Sequence, residues 1–131
     1  MSDPVKNPPT IHCHQASLDT GSTPESFAER ELELGTGTLT VTDHGTLGAC
    51  RRIYDLALSK GLIPLIGHEA YLRDDNCPIL KANGFDTPKE YAKYFHATTL
   101  FLNQTAYETA SKVISRAFYE RHGSELKPIF N

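Results

Sequence analysis

The run LIPLI at residues 62–66 decides the fold class, together with the residues on either side of it. Before it, residues 47–60 carry apolar side chains at helical spacing and end at Gly61, a typical helix stop. The run itself is short, apolar and continuous, which predicts a strand despite Pro64. The polar GHE of residues 67–69 follows directly. We therefore predict a helix that leads into a strand with titratable side chains at its carboxyl end.

The same alternation of helix and strand extends along the chain. Thr23 and Pro24 are typical of a helix start, and the helix that they begin is predicted to end at Gly35. Residues 37–42 are rich in β-branched side chains, which predicts a strand. The further predicted elements are strands at residues 10–14, 69–72 and 97–102, helices from residue 87 and over residues 104–121, and a tail at residues 124–131. Strand–helix units that repeat about four times predict an α/β fold with parallel strands and right-handed crossovers.

Composition places the chain among ordinary single-domain globular proteins. It has 131 residues, and its 39% hydrophobic and 22% charged content is typical of that class. The net charge of −3 argues against a broad basic face that binds nucleic acid unaided. Residues 1–9 are polar and proline-rich, which predicts an extended lead-in and no secretion signal. Residues 10–131 are predicted to form one domain. The sparse cysteines predict a reducing, cytoplasmic setting, and the sequence has no apolar run long enough for a membrane span.

Titratable side chains follow three predicted strands, and the carboxyl ends of parallel strands would bring them together. His12 and His14 flank Cys13 on an extended segment, so both imidazoles are expected on one side. Such a pair can chelate a divalent metal when each imidazole is neutral and oriented. The other candidate ligands near strand ends are Asp19, His44 and Glu69.

This set of donors favours a transition-metal centre. Mixed imidazole and carboxylate ligands suit Zn²⁺, Mn²⁺ or Fe, and such a cluster can hold more than one ion. Two ions about 3.5–4 Å apart are the usual device for phosphoester hydrolysis. His96 is harder to place, because it precedes its predicted strand and would lie at the amino end of a parallel strand.

Several neighbouring side chains also have simpler interpretations. Asp43 belongs either to this group or to the cap of the helix that follows it. His68 is expected to be a surface side chain, and His122 lies at a predicted helix end, where a cation is favourable. The cysteines lack Cys-x-x-Cys spacing, so Cys50 and Cys77 are interpreted as small apolar residues rather than zinc ligands.

Three stretches together resemble a known family. They are TDHGTLGA at residues 42–49, GLIPLIGHEAY at residues 61–71 and HATTLFLNQTAY at residues 96–107, with HCH at residues 12–14 before them. In this order they resemble the PHP (polymerase and histidinol phosphatase) domain, in the form found at the amino terminus of the bacterial DNA polymerase III alpha subunit. The likeness covers nearly the whole chain.

The resemblance implies a distorted (β/α) barrel with a metal cluster, of which residues 10–131 would form the amino-terminal portion. The implied metal ligands, matched motif by motif, are His12, His14, Asp19, His44, Glu69 and His96. The family draws its last ligands, including a late Asp-x-His, from a further portion that this sequence does not contain. A complementary carboxyl-terminal portion, or a second copy of the chain, is therefore the implied partner.

Three functional hypotheses follow from the resemblance. The first is a metal-dependent phosphoesterase that acts on single-stranded DNA ends in the manner of a 3′–5′ exonuclease, with a metal-generated hydroxide as nucleophile. The second is a catalytically silent structural or interaction module of a replicative polymerase. The third is a small-molecule phosphatase of the histidinol-phosphate kind. Polymerase activity is not expected from this chain alone.

Overall fold

A computed structural model of the protein describes residues 7–15, 20–72, 95–119 and 129–130. The elements are, in chain order, helix α1 (Pro24–Leu34), strand β1 (Thr38–Val41), helix α2 (Cys50–Ser59), strand β2 (Ile63–Leu72), strand β3 (Phe95–Leu100), helix α3 (Gln104–Tyr119) and strand β4 (Ile129–Phe130). The fold is thus of the mixed α and β class. Within the described ranges, no helix has both the length and the apolar character that crossing a membrane requires.

The four strands form one mixed sheet around β2. β1 runs parallel to β2, with Thr38 opposite Ile63, and β4 runs parallel to the end of β2. β3 runs antiparallel to β2, and its register places Leu100 opposite Gly67. The prediction that all strands are parallel is therefore wrong at β3. The strands that the structure describes do not close into the expected barrel.

β2 is one continuous strand of ten residues, where the sequence predicts two shorter ones. The predicted strands at residues 62–66 and 69–72 merge because the residues between them also pair with β3. β4 lies within the predicted tail, which is therefore not wholly irregular. The helix predicted to start at residue 87 lies outside the described residues.

Residues 10–14 are extended but form no regular ladder, so the predicted first strand is wrong. The hydrogen bonds of this segment go largely to threonine side chains: the Thr40 hydroxyl donates to the Thr10 carbonyl, and the Cys13 N–H donates to Thr42 Oγ1 at 2.9 Å. The Thr42 N–H in turn donates to the Cys13 carbonyl at 2.8 Å. These bonds hold the segment alongside β1.

Both helices of the first half form where the sequence predicts them. Thr23 Oγ1 accepts the Ser26 N–H at 3.2 Å and thereby caps α1, which ends at Gly35. The helix predicted over residues 47–60 is also confirmed, although α2 begins only at Cys50. The capping chemistry of the sequence is therefore sufficient to fix the start of α1.

A buried apolar cluster holds β1 and β2 against the first two helices. Leu39 and Val41 from β1 belong to the same cluster as Ile53 and Ala57 from α2 and Ala28 from α1, and all five are almost fully buried. Burial of a side chain of the size of Leu or Ile contributes about 1.5–3 kcal/mol. This cluster therefore keeps the carboxyl ends of β1 and β2 side by side.

Two cysteines that the fold shields from solvent provide a test of this packing. Burial raises the pKa of the Cys50 thiol to about 12 and that of the Cys13 thiol to about 11, with a further contribution from the Asp43 carboxylate in both cases. Because the thiolate is the reactive form, at pH 8 we expect Cys13 to react with iodoacetamide about a hundredfold more slowly in the folded protein than in urea, and Cys50 more slowly still. Peptide mass spectrometry over time measures the rates. Equal rates in the two states would contradict the packing.

Candidate metal centre

Glu69 lies on β2 just beyond the stretch that pairs with β1, and its side chain is only 5% exposed. Its N–H donates to the Asp43 carbonyl at 3.0 Å, and its own carbonyl accepts the Gly45 N–H at 2.9 Å. These two bonds form a parallel bridge between His44 and Glu69. The turn after the bridge requires Gly45, whose φ of 58° is a conformation that favours glycine. The backbone itself therefore places His44 beside Glu69.

Four imidazole nitrogens surround the Glu69 carboxylate. Glu69 Oε2 lies 2.8 Å from His14 Nε2 and 3.1 Å from His12 Nε2. The same oxygen lies 3.3 Å from His44 Nδ1. The other oxygen, Oε1, lies 2.6 Å from His96 Nδ1. The structure thus brings together the four predicted histidine ligands and the predicted glutamate.

His96 reaches this group because β3 is antiparallel to β2. The register places His96 opposite Tyr71, so the amino end of β3 lies beside the carboxyl end of β2. A position at the start of a strand argues against a role for His96 in the site only if the strands are parallel. Because β3 is antiparallel to β2, the start of β3 is the end that lies near Glu69. The remaining predicted ligand, Asp19, lies outside the described residues.

The two imidazoles of the His-x-His segment lie on one side of the chain, as the alternation predicts. His12 Nε2 and His14 Nε2 are 2.9 Å apart. The following residue, Gln15, donates its N–H to Asp43 Oδ1 at 2.7 Å. Asp43 therefore holds the His-x-His segment in place, and the alternative that it caps α2 is wrong, because the cap position is Ala49.

His68 faces away from the group around Glu69, because successive side chains of a strand point to opposite faces. Its Nδ1 lies 2.8 Å from Thr99 Oγ1, and its ring stacks on Phe101 with the ring centroids 6.2 Å apart. Burial lowers the pKa of His68, and the charge of Glu69 opposes this effect. The side chain is buried, so the prediction of a surface histidine is wrong.

Tyr71 and Thr98 also belong to the site, although they are not among the predicted ligands. The Tyr71 ring stacks on His44, with centroids 5.6 Å apart and planes at 10°, and it meets His96 edge-on at 5.0 Å. Thr98 Oγ1 lies 2.8 Å from His12 Nδ1. Each of the two lies two positions after a predicted ligand on its own strand. The period of two of a β-strand is thus the signal that identifies them.

The surrounding imidazoles keep Glu69 ionised despite its burial. Burial raises the pKa of the Glu69 carboxyl, whereas the hydrogen bond with His14 and the other nearby imidazoles lower it, and the net shift is downward. The site therefore presents a carboxylate anion at neutral pH. That is the form in which a carboxyl group binds a metal ion.

Two overlapping sets of donor atoms fit a divalent metal. Within each set, the donor atoms all lie within 4.8 Å of one another, and the sets are His12, His14 and Glu69, and His44, Glu69 and His96. Imidazole nitrogen together with carboxylate oxygen suits Zn²⁺, Mn²⁺ or Fe. Glu69 belongs to both sets, so its carboxylate is shared between two adjacent candidate sites.

The chain matches known proteins over nearly its whole length. The model of the PHP domain family matches residues 10–130. DNA polymerase III subunit alpha of Helicobacter pylori is 32% identical over 111 residues, which cover 84% of this chain and 8% of that protein. The subunit of Chlamydia pneumoniae is 32% identical over 114 residues (84% of this chain, 9% of that protein), and the subunit of Thermus aquaticus is 34% identical over 83 residues (63% and 6%).

This chain therefore spans less than a tenth of the length of these relatives. The family model, in contrast, covers all but the first nine residues and the last one. This match agrees with the order of the histidines and the glutamate along the chain. It also agrees with the convergence of the histidines on the Glu69 carboxylate. The chain belongs to the PHP domain family.

Proposed function

We propose that this chain is the metal-binding portion of a PHP-type phosphoesterase that hydrolyses phosphodiester bonds at single-stranded DNA ends. The observation that carries the proposal is the convergence of four imidazole nitrogens on the Glu69 carboxylate, none more than 3.3 Å away. Two of these nitrogens, on His12 and His14, also lie 2.9 Å from each other. Electron-rich atoms at such distances repel unless a proton or a cation lies among them. One divalent cation in each of the two donor sets would satisfy the whole group.

Each of the two donor sets would hold one ion. When bound, such ions act as Lewis acids toward phosphoryl oxygens and activate water for attack on phosphorus. The protein's own residues bind and orient: the Glu69 carboxylate offsets part of the positive charge, and the Tyr71 ring packs against His44 and His96 and restricts their rotation. We propose that each ion is Zn²⁺, Mn²⁺ or Fe.

The group is open to solvent on one side. The side chains of His12 and His96 are 46% and 43% exposed, whereas those of His14 and His44 are 17% and 20% exposed. A phosphoester substrate can therefore reach two of the four imidazoles from solvent.

The substrate class and the partner are proposed from the relatives, which are DNA polymerase subunits. A net charge of −3 gives the chain no strong general attraction for DNA. The bound ions and additional polypeptide would have to supply that attraction. We therefore propose that residues 10–131 form the amino-terminal portion of a PHP-like domain that works with the remainder of a polymerase-type protein.

Metal loading followed by a nuclease assay tests the proposed function. The purified chain is stripped with a chelator and loaded with Zn²⁺, Mn²⁺ or Fe²⁺, and the bound metal is measured by inductively coupled plasma mass spectrometry. The loaded protein, supplemented with the carboxyl-terminal portion that the proposal requires, is expected to shorten a 5′-labelled single-stranded oligonucleotide from its 3′ end. Excess EDTA is expected to stop the reaction, because the ions are then removed.

The alternatives give different results in the same experiment. Metal binding without hydrolysis of DNA or of p-nitrophenyl phosphate would favour the silent structural module. Turnover of p-nitrophenyl phosphate without action on DNA would favour the small-molecule phosphatase. If the protein retained none of the three ions, the metal centre itself would be wrong and every metal-dependent hypothesis would fall.

A further inference from the structure

We propose that Thr98 is a positioning residue for the metal ligand His12. In this role the Thr98 hydroxyl fixes both the orientation of the His12 ring and the nitrogen that carries its proton, so that Nε2 is free to bind a cation beside Glu69. The inference rests on the proposed function, because it assigns a task at the same centre. In this role Thr98 contacts the ligand His12 and does not contact the ion.

The register of the sheet puts Thr98 in the right place. Thr98 lies directly opposite Glu69 in the antiparallel pairing of β2 and β3. Opposed residues of an antiparallel pair have their side chains on the same face of the sheet. Thr98 Oγ1 accordingly lies 2.8 Å from His12 Nδ1, while the other ring nitrogen of His12 lies 3.1 Å from Glu69 Oε2. His12 therefore bridges the hydroxyl of β3 and the carboxylate of β2.

His12 depends on such a contact more than the other ligands of its segment. It belongs to the extended segment that has no regular strand pairing. Its side chain is 46% exposed, against 17% for His14. An exposed imidazole on such a segment has rotational freedom that a ligand must lose when it binds a metal. The hydrogen bond to a residue of the paired sheet removes that freedom in advance.

The chemistry of imidazole explains the second part of the role. A neutral ring carries its proton on one nitrogen only, and a metal binds the other one. When Nδ1–H donates to Thr98 Oγ1, the lone pair of Nε2 faces the group around Glu69. Loss of an outer hydrogen bond of this kind typically lowers metal affinity about 10- to 100-fold.

Three variants on one strand test the inference. Thr98→Val keeps the shape of the side chain and removes the hydroxyl, whereas Thr98→Ser keeps the hydroxyl. Thr99→Val is the matched control, because it removes a threonine hydroxyl that also contacts a histidine, His68, on the opposite face. We expect the affinity for Zn²⁺, measured against a competing chelator, to fall at least about tenfold in Thr98→Val. We expect Thr98→Ser and Thr99→Val to stay within about threefold of the original protein.

A spectroscopic readout separates this inference from the proposed function. Long-range proton–nitrogen NMR spectra of the Zn²⁺-loaded protein report whether Nδ1 of His12 carries the proton while Nε2 binds the ion. The expected state is Nδ1–H with Nε2 bound in the original protein and in Thr98→Ser, and a loss of this state in Thr98→Val. A Zn²⁺ affinity and a His12 proton position that are unchanged in Thr98→Val would overturn the inference. A loss of Zn²⁺ affinity that is equal in Thr98→Val and Thr98→Ser would also overturn the inference. An original protein that bound no Zn²⁺ would overturn the proposed function, whereas Zn²⁺ binding that is unchanged in Thr98→Val would overturn this inference alone.

Discussion

Replacing Glu69 with glutamine is expected to abolish metal binding and to leave the metal-free fold in place. Glutamine keeps the size of the side chain but removes the anion that both donor sets share. The backbone bonds of Glu69 to Asp43 and Gly45 do not involve the carboxylate, so the bridge between His44 and Glu69 persists. Both candidate sites lose their charged ligand, so we expect the affinity for Zn²⁺ to fall by more than about 100-fold. A fall of about 100-fold is the most that is typical when the mutated residue contacts a ligand rather than the ion.

Thermal unfolding with and without Zn²⁺ gives the measurement. An ion that binds only the folded state stabilises it by about 2.7 kcal/mol when its concentration is about 100 times its dissociation constant. For a domain of this size that corresponds to a rise of about 10 °C in the unfolding midpoint. Glu69→Gln should show no rise at the same concentration, whereas the exposed Glu29→Gln should show the full one. A full rise in Glu69→Gln would show that Glu69 does not hold the ion.

Replacing Gly67 with alanine is expected to produce the largest loss of stability outside the apolar core. A Cβ atom at this position would lie 2.0 Å from the Thr99 carbonyl oxygen and 3.0 Å from Leu100 Cδ2. A backbone oxygen cannot turn aside as a flexible side chain can, so β3 has to move away from β2. Overpacking of this kind costs about 1–3 kcal/mol, and we expect a value near the upper end.

Urea unfolding measures this loss, and metal titration shows its consequence for the site. A displaced β3 carries His96 away from Glu69, so Gly67→Ala should also weaken Zn²⁺ binding. Gly21→Ala is the control, because a Cβ atom there meets nothing within 4 Å and its φ is not in the left-handed region. Neutral surface changes alter the free energy of unfolding by no more than about 0.5 kcal/mol. A change of that size or smaller in Gly67→Ala would contradict the close approach of β3 to β2.

Local chemistry explains why the first half of the fold is predictable from the sequence. Thr23 and Pro24 specify the start of α1 through a hydroxyl cap and a fixed φ, and both act within one turn of the helix. The apolar spacing of α2 likewise reports a face that is buried against the sheet. These signals need no knowledge of distant residues.

Strand direction and strand pairing are not local, and there the prediction was wrong. A sequence pattern predicts that residues 97–102 are extended, but it does not reveal that β3 pairs antiparallel to β2. Residues 10–14 also have the composition of a strand. They form no ladder, because Thr40 and Thr42 supply hydrogen bonds from their side chains. His68 was misplaced for a similar reason, since the sequence does not reveal that Phe101 covers its face of the strand.

The convergence of the four histidines on the glutamate was predictable for two different reasons. The common orientation of His12 and His14 follows from the alternation of side chains along an extended segment, whether or not that segment joins a sheet. His96 was identified only through the family resemblance, because its approach to Glu69 depends on the antiparallel register. The contact of Thr98 with His12 depends on the same register, and the sequence signals it only through the spacing of two from His96.

The wide separation of the converging side chains along the chain has a kinetic consequence. Thr98 and His12 are 86 positions apart, and His14 and Glu69 are 55 positions apart. Contacts of such range close large loops, and they tend to form late in folding. A cation captured there stabilises the native state more than the folding transition state. It therefore lengthens the lifetime of the native protein by slowing unfolding, and it does little to speed the initial collapse.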